Sequence, residues 1–141
     1  MIILDTNVVS EIIRPIPSQQ VLQWISSQPA LLLYTTSITQ AEMFYGMEVL
    51  AKGKKKKELD AALSGMFEED FRNRVLSFDP SCAKHYAEIA SGRKSLGRPI
   101  SQFDAQIAAI ARSRKAILAT RNTVDFSDCG IKIVNPWDSK A

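Results

Sequence analysis

Short apolar runs alternate with longer helical patterns along the chain, and this alternation limits the fold more than any other feature. A short apolar run that ends abruptly in polar residues is typical of a buried strand. Strands that alternate with helices predict an α/β domain around a central parallel sheet of four or five strands. The predicted strands are Met1–Leu4, Leu31–Thr36, Arg74–Phe78, Ala116–Ala119 and Ile131–Val134.

Helices are predicted between these strands from caps, breakers and apolar spacing. Pro15 and Pro17 separate the first helix from the second, because proline breaks a helix. The lysine run Lys52–Lys57, which contains Gly53, predicts a turn. The predicted helices are a short one that ends at Ile13, then Ser18–Gln28, Ser37–Leu50, Glu58–Phe71, one from Asp79 to about Gly92–Gly97, and Ser101–Arg114.

The composition is that of one ordinary globular domain spanning residues 1–141. Hydrophobic residues make up 45% and charged residues 23% of the chain, which excludes a disordered chain and a disulfide scaffold. No apolar run approaches the roughly 20 residues that a membrane helix needs, so we expect no membrane association. Asp5 and Glu11 lie where a signal peptide would be basic or apolar, so a cytoplasmic protein with reduced Cys82 and Cys129 is expected.

Asp104 occupies a position where an apolar residue is expected. In the helix that begins at Ser101, apolar residues follow the i, i+3, i+7, i+8, i+11 spacing of a buried stripe. Asp104 takes the i+4 position, so we expect its carboxylate to point along or beside the face that packs on the sheet. The apolar members of this stripe are Ile100, Phe103, Ile107, Ala108 and Ala111.

Two further acids lie in comparable positions. Glu42 falls within a stripe of helical spacing formed by Ile38, Ala41, Tyr45 and Val49. Asp5 ends the first apolar strand, and the carboxyl ends of strands line the ligand crevice in open α/β sheets. Together the positions predict that Asp5, Glu42 and Asp104 share one site.

Each acid also has a purely structural interpretation. Ser101 to Asp104 fits a capping box, and so does Thr39 to Glu42, whereas Ser37 to Gln40 fits a box that opens the same helix. Asp5 could accept hydrogen bonds from backbone amides at a helix start. Capping explains each acid singly, but charged residues are almost never fully buried unless they are paired or bound to something.

Electrostatics favours a cation at such a site. Two carboxylates about 4 Å apart repel each other by roughly 4 kcal/mol at an effective dielectric near 20. Oxygen ligands without histidine or cysteine suit Mg²⁺ or Mn²⁺ better than Zn²⁺. Such ions bind phosphate oxygens and activate water for in-line attack on a phosphodiester. The only histidine, His85, is predicted in mid-helix away from the acids, which argues against a histidine-based ribonuclease.

Several motifs, taken in order, resemble the PIN domain, and in particular VapC-type toxins of the FitB-like branch. The resemblance covers essentially the whole chain, and it rests on the order and spacing of the motifs together. The motifs are the N-terminal Met1–Glu11, the helical Ala41–Gly46, Arg98–Ala109, Thr120–Phe126 and the closing Asn135–Trp137.

The resemblance implies a three-layer α/β/α domain and a metal-dependent endoribonuclease, the toxin of a type II toxin–antitoxin pair. It implies small structured RNA such as tRNA as substrate, and Mg²⁺ or Mn²⁺ as cofactor. It also implies a homodimer that is neutralised by a VapB/FitA-type antitoxin, with operator DNA bound only through that antitoxin.

The resemblance further implies a quartet of acids, of which Asp5, Glu42 and Asp104 match the first three. Relatives of the FitB-like branch often carry aspartate at the fourth position, where this chain has Asn122. Asp125, three residues later, is the alternative fourth ligand. In the mechanism that this implies, Asp5 and Asp104 bind the metal directly, and Glu42 binds it directly or through water.

Phosphate-contacting residues are predicted around the acids. Thr6 and Thr120 could orient water or phosphate through their hydroxyls, although capping explains them equally well. Arg98, just before the Asp104 helix, and Arg121 are the favoured basic contacts. The net charge of +3 is compatible with nucleic acid without establishing it, and the lysine run is more typical of a solvated turn.

Two other functions stay open at this point. A phosphatase with a nucleophilic aspartate after its first strand would need a second aspartate two residues later, where this chain has Asn7. A degenerate PIN domain would bind RNA or protein without cutting, and Asn122 is its only support. Three acids retained without a role would be a cost to stability, which disfavours that alternative.

Overall fold

The computed structural model describes residues 1–138, and the last three residues of the predicted domain lie outside this range. Five strands form one parallel sheet in the order β3-β2-β1-β4-β5. Six α-helices cover its two faces, which confirms the three-layer α/β/α architecture. The strands are β1 (Ile2–Leu4), β2 (Leu33–Thr36), β3 (Val75–Leu76), β4 (Ile117–Ala119) and β5 (Lys132–Val134).

The helices agree with the predicted segments in number and order. Four are preceded by side-chain caps, which accept from backbone amides: Ser18 from Val21, Thr36 from Thr39, Asp79 from Ser81 and Ser101 from Asp104. The helices are α1 (Thr6–Ile12), α2 (Gln19–Ser26), α3 (Ser37–Glu48), α4 (Lys54–Gly65), α5 (Pro80–Ser95) and α6 (Gln102–Ser113).

Alternation along β1 divides the core into two layers. Ile2 and Leu4 pack against α1 to α4 on one face, and Ile3 packs against α5 and α6 on the other. Successive strand side chains point to opposite faces, so this short strand contributes to both layers. Leu118 of the neighbouring strand β4 is completely buried in the second layer.

Two predicted elements differ from the structure. Only Lys52 and Gly53 of the lysine run lie in the predicted turn, since Lys54–Lys57 form the first turn of α4. Lys56 forms a 3.4 Å ion pair with Glu48 at the end of α3. The second strand begins at Leu33 rather than Leu31, because Ala30–Leu32 form a 3-10 turn after Pro29. Leu31 is 78% exposed, so apolar character alone misplaced the start of the strand.

None of the helices in residues 1–138 has the length and apolar character needed to cross a membrane.

We expect Leu118→Ala to lower the free energy of unfolding by about 3 kcal/mol, because it opens a cavity in the centre of the sheet. Leu31→Ala is the matched control, and its exposed side chain should cost less than about 0.5 kcal/mol. Urea unfolding followed by circular dichroism measures both. Equal losses would contradict the burial assigned to Leu118.

Candidate functional site

Asp5 lies at the point where the strand order reverses. The chain proceeds from β1 to β2 and β3 on one side, and then returns to place β4 on the other side of β1. Asp5 follows β1, Thr120 follows β4, and both side chains are buried. Ligands of open α/β sheets bind in the crevice at such a switch point. The prediction that Asp5 ends a strand at this edge is confirmed.

A hydrogen-bonded clamp holds the Asp5 carboxylate. The Thr120 hydroxyl donates to Asp5 Oδ2 at 2.8 Å, and Asn7 Nδ2 donates to the same oxygen at 3.0 Å. Asn7 also joins the two strand ends, since its Nδ2 donates to Thr120 Oγ1 at 3.2 Å and its Oδ1 accepts from the Arg121 amide at 3.1 Å. Asp5 is the N-cap residue of α1, but its side chain makes no capping hydrogen bond. The Thr6 backbone amide at the start of α1 nevertheless lowers the pKa of this carboxyl through a hydrogen bond, so the helix-start interpretation holds in part.

Glu42 reaches the same edge from α3. Thr6 Oγ1 donates to Glu42 Oε1 at 3.0 Å and lies 3.0 Å from the hydroxyl of the fully buried Thr39. The cap of this helix is Thr36, which accepts from the Thr39 amide at 3.1 Å, so the box predicted from Ser37 is one residue too late.

The apolar stripe predicted around Glu42 is wrong. Tyr45 is 71% and Val49 63% exposed, and Ala41 is exposed beside them. The face of α3 that meets the core carries Thr39, Met43 and Met47 instead. Glu42 therefore lies at the boundary between the core face and an exposed apolar face.

Asp104 lies in the first turn of α6, where Ser101 Oγ accepts from its amide at 3.2 Å. Ser101 therefore caps the helix as predicted, and its hydroxyl also lowers the pKa of the Asp104 carboxyl by hydrogen bonding. Phe103 is 55% exposed and does not belong to the buried stripe. The residues that pack on the sheet are Ala105 and Ile107–Ala111.

Burial and neighbouring carboxylates raise the pKa values of the three predicted acids. Burial is the main cause that raises the pKa of Asp5 to about 6, and repulsion from Asp104 and Glu42 raises it further. Hydrogen bonds, of which the one from Thr120 is the strongest, lower the pKa of Asp5 in part. Burial also raises the pKa of Glu42, with repulsion from Asp104 added and the Thr6 hydroxyl opposing. Burial and the negative charge of Asp125 raise the pKa of Asp104, whereas a hydrogen bond with Ser101 and the positive charge of Arg93 lower it. The predicted acids thus interact electrostatically in one region.

The donor set fits a hard divalent cation that keeps part of its water shell. Within residues 1–138, no three His, Cys, Asp or Glu side chains lie close enough together to hold a metal ion as a preformed group. Mg²⁺ is commonly bound through one or two carboxylates while it retains several waters. Asp5, Asp104 and Glu42 supply only oxygen donors and suffer mutual repulsion that a cation would relieve.

The candidate fourth ligands are both on the connection after β4. Asn122 and Asp125 are exposed, and the Asn122 amide donates to Thr120 Oγ1 at 3.1 Å. Asp125 raises the pKa of Asp104 and therefore lies within electrostatic range of the acids. It belongs to a 3-10 turn over Val124–Phe126, which its neighbour Phe126 anchors in the core.

The predicted basic contacts are already engaged within the chain. Arg98 is ion-paired with Asp128 and donates to Ser127 Oγ at 3.3 Å. The Arg121 guanidinium lies over the Trp137 ring, 5.0 Å from its centroid. Thr6 and Thr120 direct their hydroxyls at Glu42 and Asp5, so the structure assigns them to positioning the acids.

Three polar residues around the site were missed as site residues by sequence reasoning. Asn7 follows Asp5 by two residues and clamps it, and Thr39 precedes Glu42 by one turn and supports Thr6. Arg93 was detectable, because it continues a buried stripe of α5 formed by Cys82 and Ile89. A charged residue on an apolar stripe is the signal that identified Asp104.

Glu42 opens onto two surface cavities. One, of about 410 Å³, lies between α1, α3 and α4 and includes Arg14 and Ser10. The other, of about 520 Å³, is lined by Ala41, Glu42, Tyr45 and Phe103. An extended ligand could therefore approach the acids from the side of either cavity.

The sequence profile of the PIN domain matches residues 2–131. The chain is 41% identical to the plasmid stability protein StbB of Pseudomonas syringae pv. tomato, covering 99% of this chain and 100% of that protein. It is 37% identical to VapC ribonuclease Y4jK of Sinorhizobium fredii, covering 98% of this chain and 99% of that protein. Toxin FitB of Neisseria gonorrhoeae is 39% identical, with 97% and 99% covered.

Solved structures give the same relationship in three dimensions. FitAB bound to the IR36 DNA fragment matches with a TM-score of 0.93 at 38% identity, covering 100% of this chain and 99% of that chain. FitAcB from Neisseria gonorrhoeae matches with a TM-score of 0.92 at 39% identity, covering 99% and 100%.

We expect Asp5→Asn to stabilise the metal-free protein at neutral pH. The pKa of Asp5 rises from 3.8 to about 6 on folding, so the folded state binds the proton more tightly and loses stability as pH rises through that interval. The variant should gain up to about 3 kcal/mol at pH 7.5, and the gain should vanish near pH 4. Urea unfolding in EDTA measures it, with the exposed Asp60→Asn as control. A gain that is independent of pH would contradict this account.

Thr120→Val should lower the free energy of unfolding by about 2 kcal/mol, because it leaves the buried groups of Asp5 and Asn7 without their shared hydroxyl. Thr120→Ser keeps the hydroxyl and should cost less than about 1 kcal/mol. Urea unfolding at pH 7 in EDTA compares the two variants. An equal loss in both would assign Thr120 to packing alone.

Proposed function

The chain belongs to the PIN domain family, and from that premise we propose that it is a divalent-metal-dependent endoribonuclease, the toxin of a toxin–antitoxin pair. The observation that carries the proposal is the electrostatic coupling of Asp5, Glu42 and Asp104 at the switch point of the sheet. Full-length relatives named as a VapC ribonuclease and as toxin FitB support it. A binding module without activity would have no use for three destabilising acids.

Mg²⁺ or Mn²⁺ is the proposed cofactor, held by Asp5 and Asp104 and, directly or through water, by Glu42. When bound, such an ion lowers the pKa of water and offsets charge on phosphate oxygens. The chain itself fixes the donors: Asn7 and Thr120 hold Asp5, and Thr6 holds Glu42. Ser101 sets the start of α6 and so the position of Asp104.

Asp125 is the proposed fourth acid, in place of Asn122. The negative charge of Asp125 raises the pKa of Asp104, whereas the amide side chain of Asn122 brings no negative charge to the site. A neutral residue at that position weakens a second metal site. The proposed site therefore depends on one principal ion, with Asp125 contributing charge from the connection after β4.

The proposed substrate is small structured RNA such as tRNA, cut in the cytoplasm. The proposed partner is a VapB/FitA-type antitoxin, through which operator DNA would be bound. Structures of relatives describe FitAB on a DNA fragment and a FitAcB complex. We propose that residues 1–141 form a single domain of this type.

Asp104→Asn should abolish cleavage while leaving the fold intact, because the substitution removes one of the two proposed direct ligands. Antitoxin-free protein is incubated with a mixture of structured RNAs in Mg²⁺, in Mn²⁺ and in EDTA, and products are resolved on denaturing gels. Discrete products should form only with metal and only with the wild type. Removal of the ligand should cost at least about 100-fold in rate.

Asp128→Asn is the control for removal of an acid, because Asp128 pairs with Arg98 outside the proposed ligand set. It should cleave within a few fold of the wild type. If folded wild-type protein produces no metal-dependent products, the degenerate, non-catalytic alternative replaces this proposal. If Asp104→Asn cleaves like the wild type, the assignment of the ligands is wrong.

We propose that a second copy of the chain covers the exposed apolar face of α3 and α6. Tyr45, Val49 and Phe103 are 71%, 63% and 55% exposed, and they adjoin a groove of about 520 Å³. Exposed apolar patches of this kind are typical of protein interfaces.

Tyr45→Lys should convert the dimer to a monomer, because it places a charge in the apolar interface. Sedimentation velocity measures the change at a fixed protein concentration. Ile16→Lys, at an 85% exposed apolar residue before α2, is the matched control and should remain dimeric. A dimer that survives Tyr45→Lys but dissociates with Ile16→Lys would move the interface to the surface around Ile16.

A further inference from the structure

Arg93 is a buried cation in the last turn of α5, and only 5% of it is exposed. Among residues 1–138 it forms no ion pair with a carboxylate, and its side chain donates to backbone carbonyls and one thiol. A buried charge without a paired counter-ion is costly. The cost makes Arg93 a candidate for a role beyond packing.

The hydrogen bonds of Arg93 join the two segments that carry acids of the site. Its Nη1 donates to the carbonyl oxygens of Asp125 at 2.7 Å and Ser127 at 3.0 Å. Its Nε donates to the carbonyl oxygen of Arg98 at 2.8 Å, in the loop that leads into α6. One planar guanidinium therefore fixes the turn that bears Asp125 to the loop that leads to Asp104.

The charges around Arg93 complete the arrangement. Its positive charge lowers the pKa of Asp104 while Asp125 raises it, so all three groups interact electrostatically. Arg93 Nη1 also donates to Cys129 Sγ at 3.8 Å, and Phe126 anchors the turn in the core. The turn is thus held by the apolar packing of Phe126 and by the hydrogen bonds of Arg93.

We propose that Arg93 is a positioning residue that places Asp125 beside Asp104 and so completes the cation site. The proposal rests on the proposed function, since it assumes that these acids bind a divalent ion. Arg93 acts through the backbone of the Asp125 turn and is not itself a ligand. Loss of such outer contacts typically weakens metal binding by about 10-fold or more.

Arg93→Lys is the principal variant, because it retains the charge but cannot reach several carbonyls with one rigid fork. Mn²⁺ binding is measured by the electron paramagnetic resonance signal of the free ion, on protein whose folded fraction is fixed by thermal unfolding. We expect Arg93→Lys to weaken binding about 10-fold. Lys94→Met, an exposed neighbour on the same helix, should stay within about twofold of the wild type.

A double-mutant cycle tests the route of the effect. In the Asp125→Asn background, Arg93→Lys should weaken Mn²⁺ binding little further, because its effect passes through Asp125. An equal loss in both backgrounds would overturn the proposal. The proposal would also be overturned if Arg93→Lys bound Mn²⁺ within about twofold of the wild type.

Arg93→Gln covers the case in which Arg93→Lys does not fold. It removes the buried charge, and that change alone would strengthen cation binding, so weaker Mn²⁺ binding would come from lost positioning. Stronger binding would overturn the proposal. Failure of the proposed function gives a different result, because wild-type protein would then bind Mn²⁺ no better than Asp5→Asn.

Discussion

The buried carboxylate of Asp5 is the constraint on which the rest of the site depends. It ends the central strand β1, where the neighbouring strand β4 delivers Thr120 to the same oxygen that Asn7 contacts. These hydrogen bonds orient the acid but do not remove its unfavourable burial, which raises its pKa to about 6. Burial of this charge therefore lowers the free energy of unfolding, and a cation bound at the crevice would raise it again.

The other acids are brought to this point by helices that begin next to strand ends. Thr36 caps α3 and Ser101 caps α6, and each cap fixes the helical turn from which an acid projects. Arg93 extends the arrangement to the connection after β4, where Asp125 carries the further negative charge.

The order of strands and helices and the strand-end position of Asp5 could be predicted from sequence, because short apolar runs and the polar residues that end them are local signals. The stripe around Glu42 could not, because Tyr45 and Val49 have helical apolar spacing yet face outward. Apolar spacing does not distinguish a core from an exposed apolar face. Thr120 contacts Asn7 and Asp5 from 113 and 115 positions away, so no local pattern contains its part of the clamp.

Stabilisation by a divalent ion tests most directly the claim that the coupled acids form a cation site. The free energy of unfolding of the wild type is measured by urea denaturation at pH 7.5 against increasing Mn²⁺, beside Asp5→Asn. The account predicts a rise of about 2.7 kcal/mol for the wild type at 100 times the dissociation constant, and little change for the variant. Equal responses of both proteins to Mn²⁺, or none in the wild type, would contradict it.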